Sequence, residues 1–130
     1  MRMWMLNPEI FCRFHLLGEH NEMHAFLGHF KLKRRVDGYI KKNLLEPNAL
    51  KERHKVIANE MIKRGYHHSK DLEFNEDETY AYISEEYRNH KIDKKSALIE
   101  LLRRCPECKL RFYKMFVLEK RDLKEIFSSY

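Results

Sequence analysis

The chain has 130 residues, the size of one domain, and its 43% hydrophobic content suffices for a core that needs no disulfide staple. Lys and Arg number 26 against 20 Asp and Glu, and the resulting charge of +6 favours a polyanionic partner: DNA, RNA or an acidic surface. No apolar run is long enough to span a membrane, and the opening MRMWMLNPEIF is too short and too soon interrupted for a secretory leader.

Three cysteines, an odd number, do not form a disulfide framework, so a reducing cytoplasm is the expected compartment. Four Gly, three Pro and few alternating β-branched runs predict an all-α fold of three main helices plus short helices and long loops.

Asn7-Pro8 opens the first predicted helix, since Asn caps and Pro fits the first helical position. This helix covers residues 10–28. At 100° per residue His15, Glu19 and Glu22 share one arc beside Phe11 and Phe26. Ile10, Phe14, Leu17 and Ala25 flank it on one side, and Cys12, Leu16, Met23 and Leu27 on the other. A basic segment follows, FKLKRRVDGYIKK, bent at Asp37-Gly38.

A second long helix starts around Glu46-Pro47-Asn48, carries an apolar stripe of Leu50, Ile57, Met61 and Val56 or Ala58, and ends at Gly65 as a left-handed cap. Residues 67–78 read as a polar loop and residues 79–88 as a short helix. Asp93 caps a third helix containing Ala97, Leu98, Leu101 and Leu102, which runs to Cys105-Pro106. A tail helix, from Leu110 or Leu118 to Phe127, completes a single domain over residues 1–130.

Two carboxylates and an imidazole between apolar stripes are costly without partners or a task. The arc is either a buried salt-bridge cluster, paired with arginines of another helix, or a site. As a metal centre it lacks the second histidine that a His-Glu-x-x-His zinc helix carries. His20 and His24, one turn apart, fall on the opposite arc with Arg13 and suggest a cationic face.

Lys31, Lys33, Arg34, Arg35, Lys41 and Lys42, interleaved with Phe30 and Tyr39, are either a solvated face or a phosphate-binding one. Arg53, Lys55, Lys63, Arg64, His67 and His68 would enlarge the latter. Cys105-Pro-Glu-Cys108 is half a zinc site, which Cys12 and a histidine would have to complete across the fold. Two helix-end thiols and no metal are the expectation.

The order of these features resembles the pyrimidine-dimer DNA glycosylase/AP lyases of the phage endonuclease V type. The likeness runs from the N-terminus through HLLGEHNEMHAFLG and continues in LKERHKVIANEMIKRGYHH, where the family has a helix ending in Lys-Arg-Gly and an aromatic. RFYKMF stands where the family has a basic aromatic run.

The resemblance implies a nucleophilic α-amine on the first residue, which attacks the anomeric carbon of the damaged nucleotide and leaves an imine. It implies a catalytic glutamate at Glu22, with His15 and Arg2 matching family residues in support; Glu19, on the same arc, is expected to support them as well. Family members commonly lose an initial methionine to expose threonine. Here Arg2 is too large for that removal, so Met1 aligns with the exposed residue and its own amine takes the role. An α-amine as a class titrates near ~8, against ~10.4 for lysine, which favours the neutral nucleophile.

Two first-helix arginines that grip DNA in the phage-type enzymes fall at Asn21 and Ala25. The basic segment after Gly28 and the Cys-Pro-Glu-Cys pattern have no phage counterpart. The expected protein is thus a cofactor-free, monomeric, nucleoid-associated repair enzyme acting on damaged double-stranded DNA, with His20, His24, Lys31, Lys33, Arg34, Arg35, Lys41, Lys42 and Arg64 on phosphates. The rivals are a non-catalytic basic DNA-binding protein on this fold, and a glycosylase/AP lyase for another lesion.

Overall fold

A computed structural model describes residues 1–68 and 70–128. These contain helices and no strand: α1 (Arg13–Lys31), α2 (Asp37–Lys41), α3 (Leu50–Lys63), α4 (Glu76–Thr79), α5 (Glu85–Arg88), α6 (Lys94–Arg104) and α7 (Pro106–Tyr113). The all-α expectation is correct. Ser69, inside the predicted 67–78 loop, lies outside the described residues.

Asn7 does cap, but it caps a 3-10 turn, Pro8–Ile10, by accepting the Glu9 N–H at 3.0 Å. Extended backbone at Phe11 and Cys12 then breaks the chain direction, and α1 starts afresh with the Cys12 sulfur as its cap. It runs beyond Gly28 to Lys31, because Phe30 is still needed in the core.

The basic segment is bent where predicted, since α2 begins at Asp37. α3 buries Leu50, Ile57, Ala58 and Met61, so Ala58 rather than Val56 completes its stripe, and Gly65 takes the left-handed conformation at φ +85°. The single helix expected over 79–88 is instead two one-turn helices, each capped by its own side chain, Asn75 and Ser84. Asp93 caps α6 through the N–H groups of Lys95 and Ser96. The tail helix starts earlier than predicted, at Pro106, because Cys105 caps it and Pro106 suits its first position.

α1 and α3 pack together at the centre. Against them lies the N-terminal segment, which turns at Met5 through a left-handed backbone conformation, φ +57°. Met3, Trp4, Met5 and Leu6 are at most 3% exposed, each contributing on the order of 1.5–3 kcal/mol of burial free energy. Backbone bonds fix their register: Met3 N–H to Leu44 O at 2.7 Å, and Asn7 N–H to Ile126 O at 2.9 Å. A buried strap of this kind holds Met1 at a defined surface position.

One predicted flank is split, with Ile10 buried in the Pro8 turn and Leu17 packed partly against the core. Phe14 is 81% exposed and Ala25 is exposed, while the core side is Leu16, Glu19, Met23, Phe26, Leu27 and Phe30. A buried charge at position 19 rotates the helix away from its most apolar orientation. What makes that tolerable is Arg53.

Candidate active site

His15, Glu19 and Glu22 each find a different partner. Glu19 is fully buried and accepts from Arg53 Nε at 2.5 Å and Arg53 Nη2 at 3.1 Å, both side chains being 0% exposed. Its Oε1 also accepts the Trp4 N–H at 3.0 Å, which ties the strap to the ion pair. The salt-bridge alternative therefore holds for this member of the arc, and Arg53 is a core residue rather than part of a phosphate surface.

Glu22, one helical turn on, accepts the Arg2 N–H through Oε2 at 3.1 Å. Its carboxylate thus stands next to the first peptide unit, one residue from the chain's α-amine. Arg2 stacks its guanidinium on Trp4, 3.7 Å from the ring centroid, and Arg104 approaches the same ring at 5.6 Å. Burial, and then the like charge of Arg104, depress the Arg2 pKa. Arg2 Nε is buried without a hydrogen-bond partner among the described residues.

His15 meets Trp4 edge-on at 5.7 Å and turns Nδ1 toward the sulfurs of Cys12 and Cys108, at 3.2 and 3.6 Å. Burial and then Arg104 lower its pKa, so the ring is neutral near pH 7.

These groups converge on a cleft of about 380 Å³ lined by Met1, Arg2, Trp4, His15, Glu19 and Glu22, with Phe14 and Arg104 also on its walls. A second cleft of equal volume lies between the Pro8 turn and the C-terminal segment. Its carboxylates are committed to arginines, Glu9 to Arg121 at 2.8 Å and Glu60 to Arg64 at 2.7 Å, whereas in the first cleft Glu22 accepts the Arg2 N–H and Met1 lines the same wall.

The expected DNA-contacting residues divide. Lys31, Lys33, Arg34, Arg35, Lys41 and Lys42 are all exposed, and Arg35 and Lys42 line a depression that includes Met1. The basic segment therefore borders the cleft. Arg64 does not join it, because its guanidinium pairs with Glu60 and donates to the carbonyls of Phe11 and Pro8 at 2.8 and 3.1 Å. It ties the end of α3 to the Pro8 turn.

His20 and His24 do not form a cationic face. They pack with His54 and His68, their rings about 5 Å apart, and His24 and His54 share an Nε2···Nε2 contact of 3.1 Å. Burial lowers all three shifted members, His54 to about 3, with the neighbouring imidazoles adding to the effect. The rings of His20, His24 and His54 are thus kept neutral at pH 7 and bring no fixed charge to a phosphate.

Trp4, Phe14 and Arg104 were missed as cleft residues. The Arg-x-Trp alternation at residues 2–4 was a usable signal for stacking. Nothing local marks Arg104, which reaches the cleft only because α6 packs there.

Fold and site thus define a class: an all-α protein whose first residue and a helix glutamate, Glu22, line one cleft edged by Arg2 and Arg104. The family model for pyrimidine dimer DNA glycosylase matches residues 1–74, and the chain belongs to that family. The matched span holds the strap, α1, the basic segment and α3, hence Met1, Glu19, Glu22 and Arg53. No curated relative and no solved structure matches the chain. Membership implies a DNA glycosylase that binds damaged DNA, and no helix among the described residues is long and apolar enough to cross a membrane.

Proposed function

We propose that the protein excises cyclobutane pyrimidine dimers from duplex DNA and then cuts the abasic strand, using the Met1 α-amine as nucleophile. The observation that carries this reading is the Glu22 carboxylate held on the Arg2 N–H, in a cleft that also contains Met1. The amine nitrogen attacks C1′ of the damaged nucleotide, the C1′–N bond to the base breaks, and the base leaves with a proton. Opening of the sugar ring gives an imine between Met1 N and C1′. Loss of a 2′ proton then expels the 3′ phosphate, and water hydrolyses the imine.

Glu22 serves this sequence by facing positive charge as it develops on the sugar and the iminium, and by taking the proton lost in elimination. Glu19 and Arg53 act as positioning residues: they fix Trp4 and through it the strap that presents Met1. Arg2, held against Trp4, lends positive charge to the cleft. The basic segment grips backbone phosphates, and extrusion of the damaged nucleotide lets the cleft reach C1′. Asn21 and Ala25 are exposed and uncharged, so the phosphate grip is shifted to Arg35 and Lys42 on the other side of Met1.

The test is Glu22→Gln on duplexes carrying a pyrimidine dimer, an oxidised base or an abasic site. The expected result is loss of turnover by at least about 100-fold, the usual scale for a proton-transfer group, with duplex affinity largely unchanged. Full activity in Glu22→Gln contradicts the role. Turnover of the oxidised duplex alone replaces the dimer with another lesion.

A further inference from the structure

Four residues from opposite ends of the chain converge under the cleft. Cys12 caps α1 and His15 lies in its first turn; Cys105 caps α7 and Cys108 lies in its first turn. Both halves therefore have the same build, a cysteine at a helix cap and a second ligand three residues on. Their ligand atoms, three Sγ and His15 Nδ1, all lie within 4.8 Å of one another, and the three cysteines are buried. We propose that Cys12, His15, Cys105 and Cys108 form a structural zinc site.

Distances, hydrogen bonding and charge agree on this. A tetrahedral zinc with Zn–S of ~2.3 Å and Zn–N of ~2.0 Å requires S···S edges of about 3.8 Å and S···N edges of about 3.5 Å. The structure has Cys12 Sγ to Cys105 Sγ at 3.8 Å, and His15 Nδ1 to the sulfurs of Cys12 and Cys108 at 3.2 and 3.6 Å. The fold therefore already has nearly the dimensions the ion needs.

Each sulfur also accepts a backbone N–H: Cys12 from His15 at 3.4 Å, Cys105 from Cys108 at 3.4 Å, and Cys108 from Cys12 at 3.2 Å. Such donors stabilise thiolates, as do the positive ends of helices. Three thiolates crowded without a cation would repel one another, and a divalent ion brings the set to one net negative charge. A Cys₃His set in tetrahedral array selects zinc over harder cations. A disulfide accounts for less. Cys12 and Cys105 would have to close from 3.8 Å to ~2.05 Å, and the convergence of Cys108 and His15 would have no purpose.

The site has a structural consequence for the cleft. It would fasten residues 12–15, within the family-matched span, to residues 105–108 beyond it. Coordination through Nδ1 also places the His15 proton on Nε2 and fixes the ring that packs against Trp4. The inference is independent of the proposed reaction, since a zinc site can be present in a protein that does not cut DNA.

The test uses the full chain, purified without a metal-affinity tag. Elemental analysis is expected to find one zinc per chain. Zinc-edge X-ray absorption is expected to show three sulfurs near ~2.3 Å and one nitrogen near ~2.0 Å. Replacement by cobalt(II) should give the visible bands of a tetrahedral thiolate complex together with a sulfur-to-cobalt charge-transfer band. Cys108→Ser and Cys105→Ala should lower metal affinity at least tenfold, whereas His54→Gln, in the separate histidine cluster, should retain the full metal content. The proposal is overturned if the wild-type chain takes up neither zinc nor cobalt and shows three reactive thiols, if it forms a disulfide instead, or if His54→Gln removes the metal while Cys108→Ser keeps it.

Discussion

Replacing Arg53 by Met removes the cation that makes Glu19 tolerable in the core. The thioether side chain keeps much of the apolar stem and fills space beside Phe11, whose ring lies 5.7 Å from the guanidinium carbon. Both members of the pair are 0% exposed and joined by two hydrogen bonds, so water cannot replace the lost donors. Breaking a buried pair from one side costs ~3–5 kcal/mol, a large share of the ~5–15 kcal/mol that holds a domain together.

Adding Glu19→Gln withdraws the stranded charge and leaves an amide oxygen to accept the Trp4 N–H. The double variant is therefore expected to be more stable than Arg53→Met alone. Urea unfolding followed by the fluorescence of Trp4, the chain's one tryptophan, measures both steps. A loss below about 1 kcal/mol in Arg53→Met, the scale of an exposed pair, refutes the argument that this pair is desolvated and holds the strap.

The histidine cluster predicts a pH dependence. Folding depresses the His54 pKa from 6.5 to about 3, so the folded ring stays neutral while the unfolded chain takes up a proton below pH 6.5. Its contribution is fully present above pH 6.5 and is lost as pH falls from there toward about 3. At pH 5 the loss is about 1–2 kcal/mol once solvent screening by the partly exposed neighbouring rings is allowed for. Urea midpoints at pH 8 and pH 5 check this, and His54→Gln should flatten the difference; equal slopes in the two proteins count against it. On the basic face, the triple change Lys33→Gln, Arg34→Gln and Arg35→Gln should reduce the slope of log affinity against log salt by about 2–3 on duplex DNA, without altering stability. An unchanged slope places the phosphate contacts elsewhere.

The sequence carried the helices well where caps and apolar spacing agree. Asp93 and Gly65 mark their boundaries by local hydrogen bonding and backbone conformation, and both stand where expected. Phe14 misled because apolar spacing does not reveal which stripe of α1 faces the core. That choice was decided by Arg53, 34 residues from Glu19, which makes a carboxylate the buried position. Arg64 and His24 misled for a related reason. What a charged or titratable residue on a helix contributes depends on its tertiary partners, here the carbonyls of Phe11 and Pro8 for Arg64 and the ring of His54 for His24, which itself stays exposed.

The roles proposed for Met1 and Glu22 come from the family resemblance alone. No periodicity links a chain terminus to a helix 20 residues away. The cysteine set was half legible: the Cys-x-x-Cys spacing was plain, but its other half is a Cys-x-x-His pair 93 residues distant.

The most direct test of the proposed chemistry is borohydride reduction while the protein turns over a duplex containing a pyrimidine dimer. The reaction is expected to trap the imine as a covalent protein–DNA adduct, with the attached sugar mapped by mass spectrometry to the α-nitrogen of Met1. Blocking that amine should abolish both adduct and strand cleavage without unfolding the chain. An adduct on a lysine, or strand cleavage that persists with the amine blocked, contradicts the assignment.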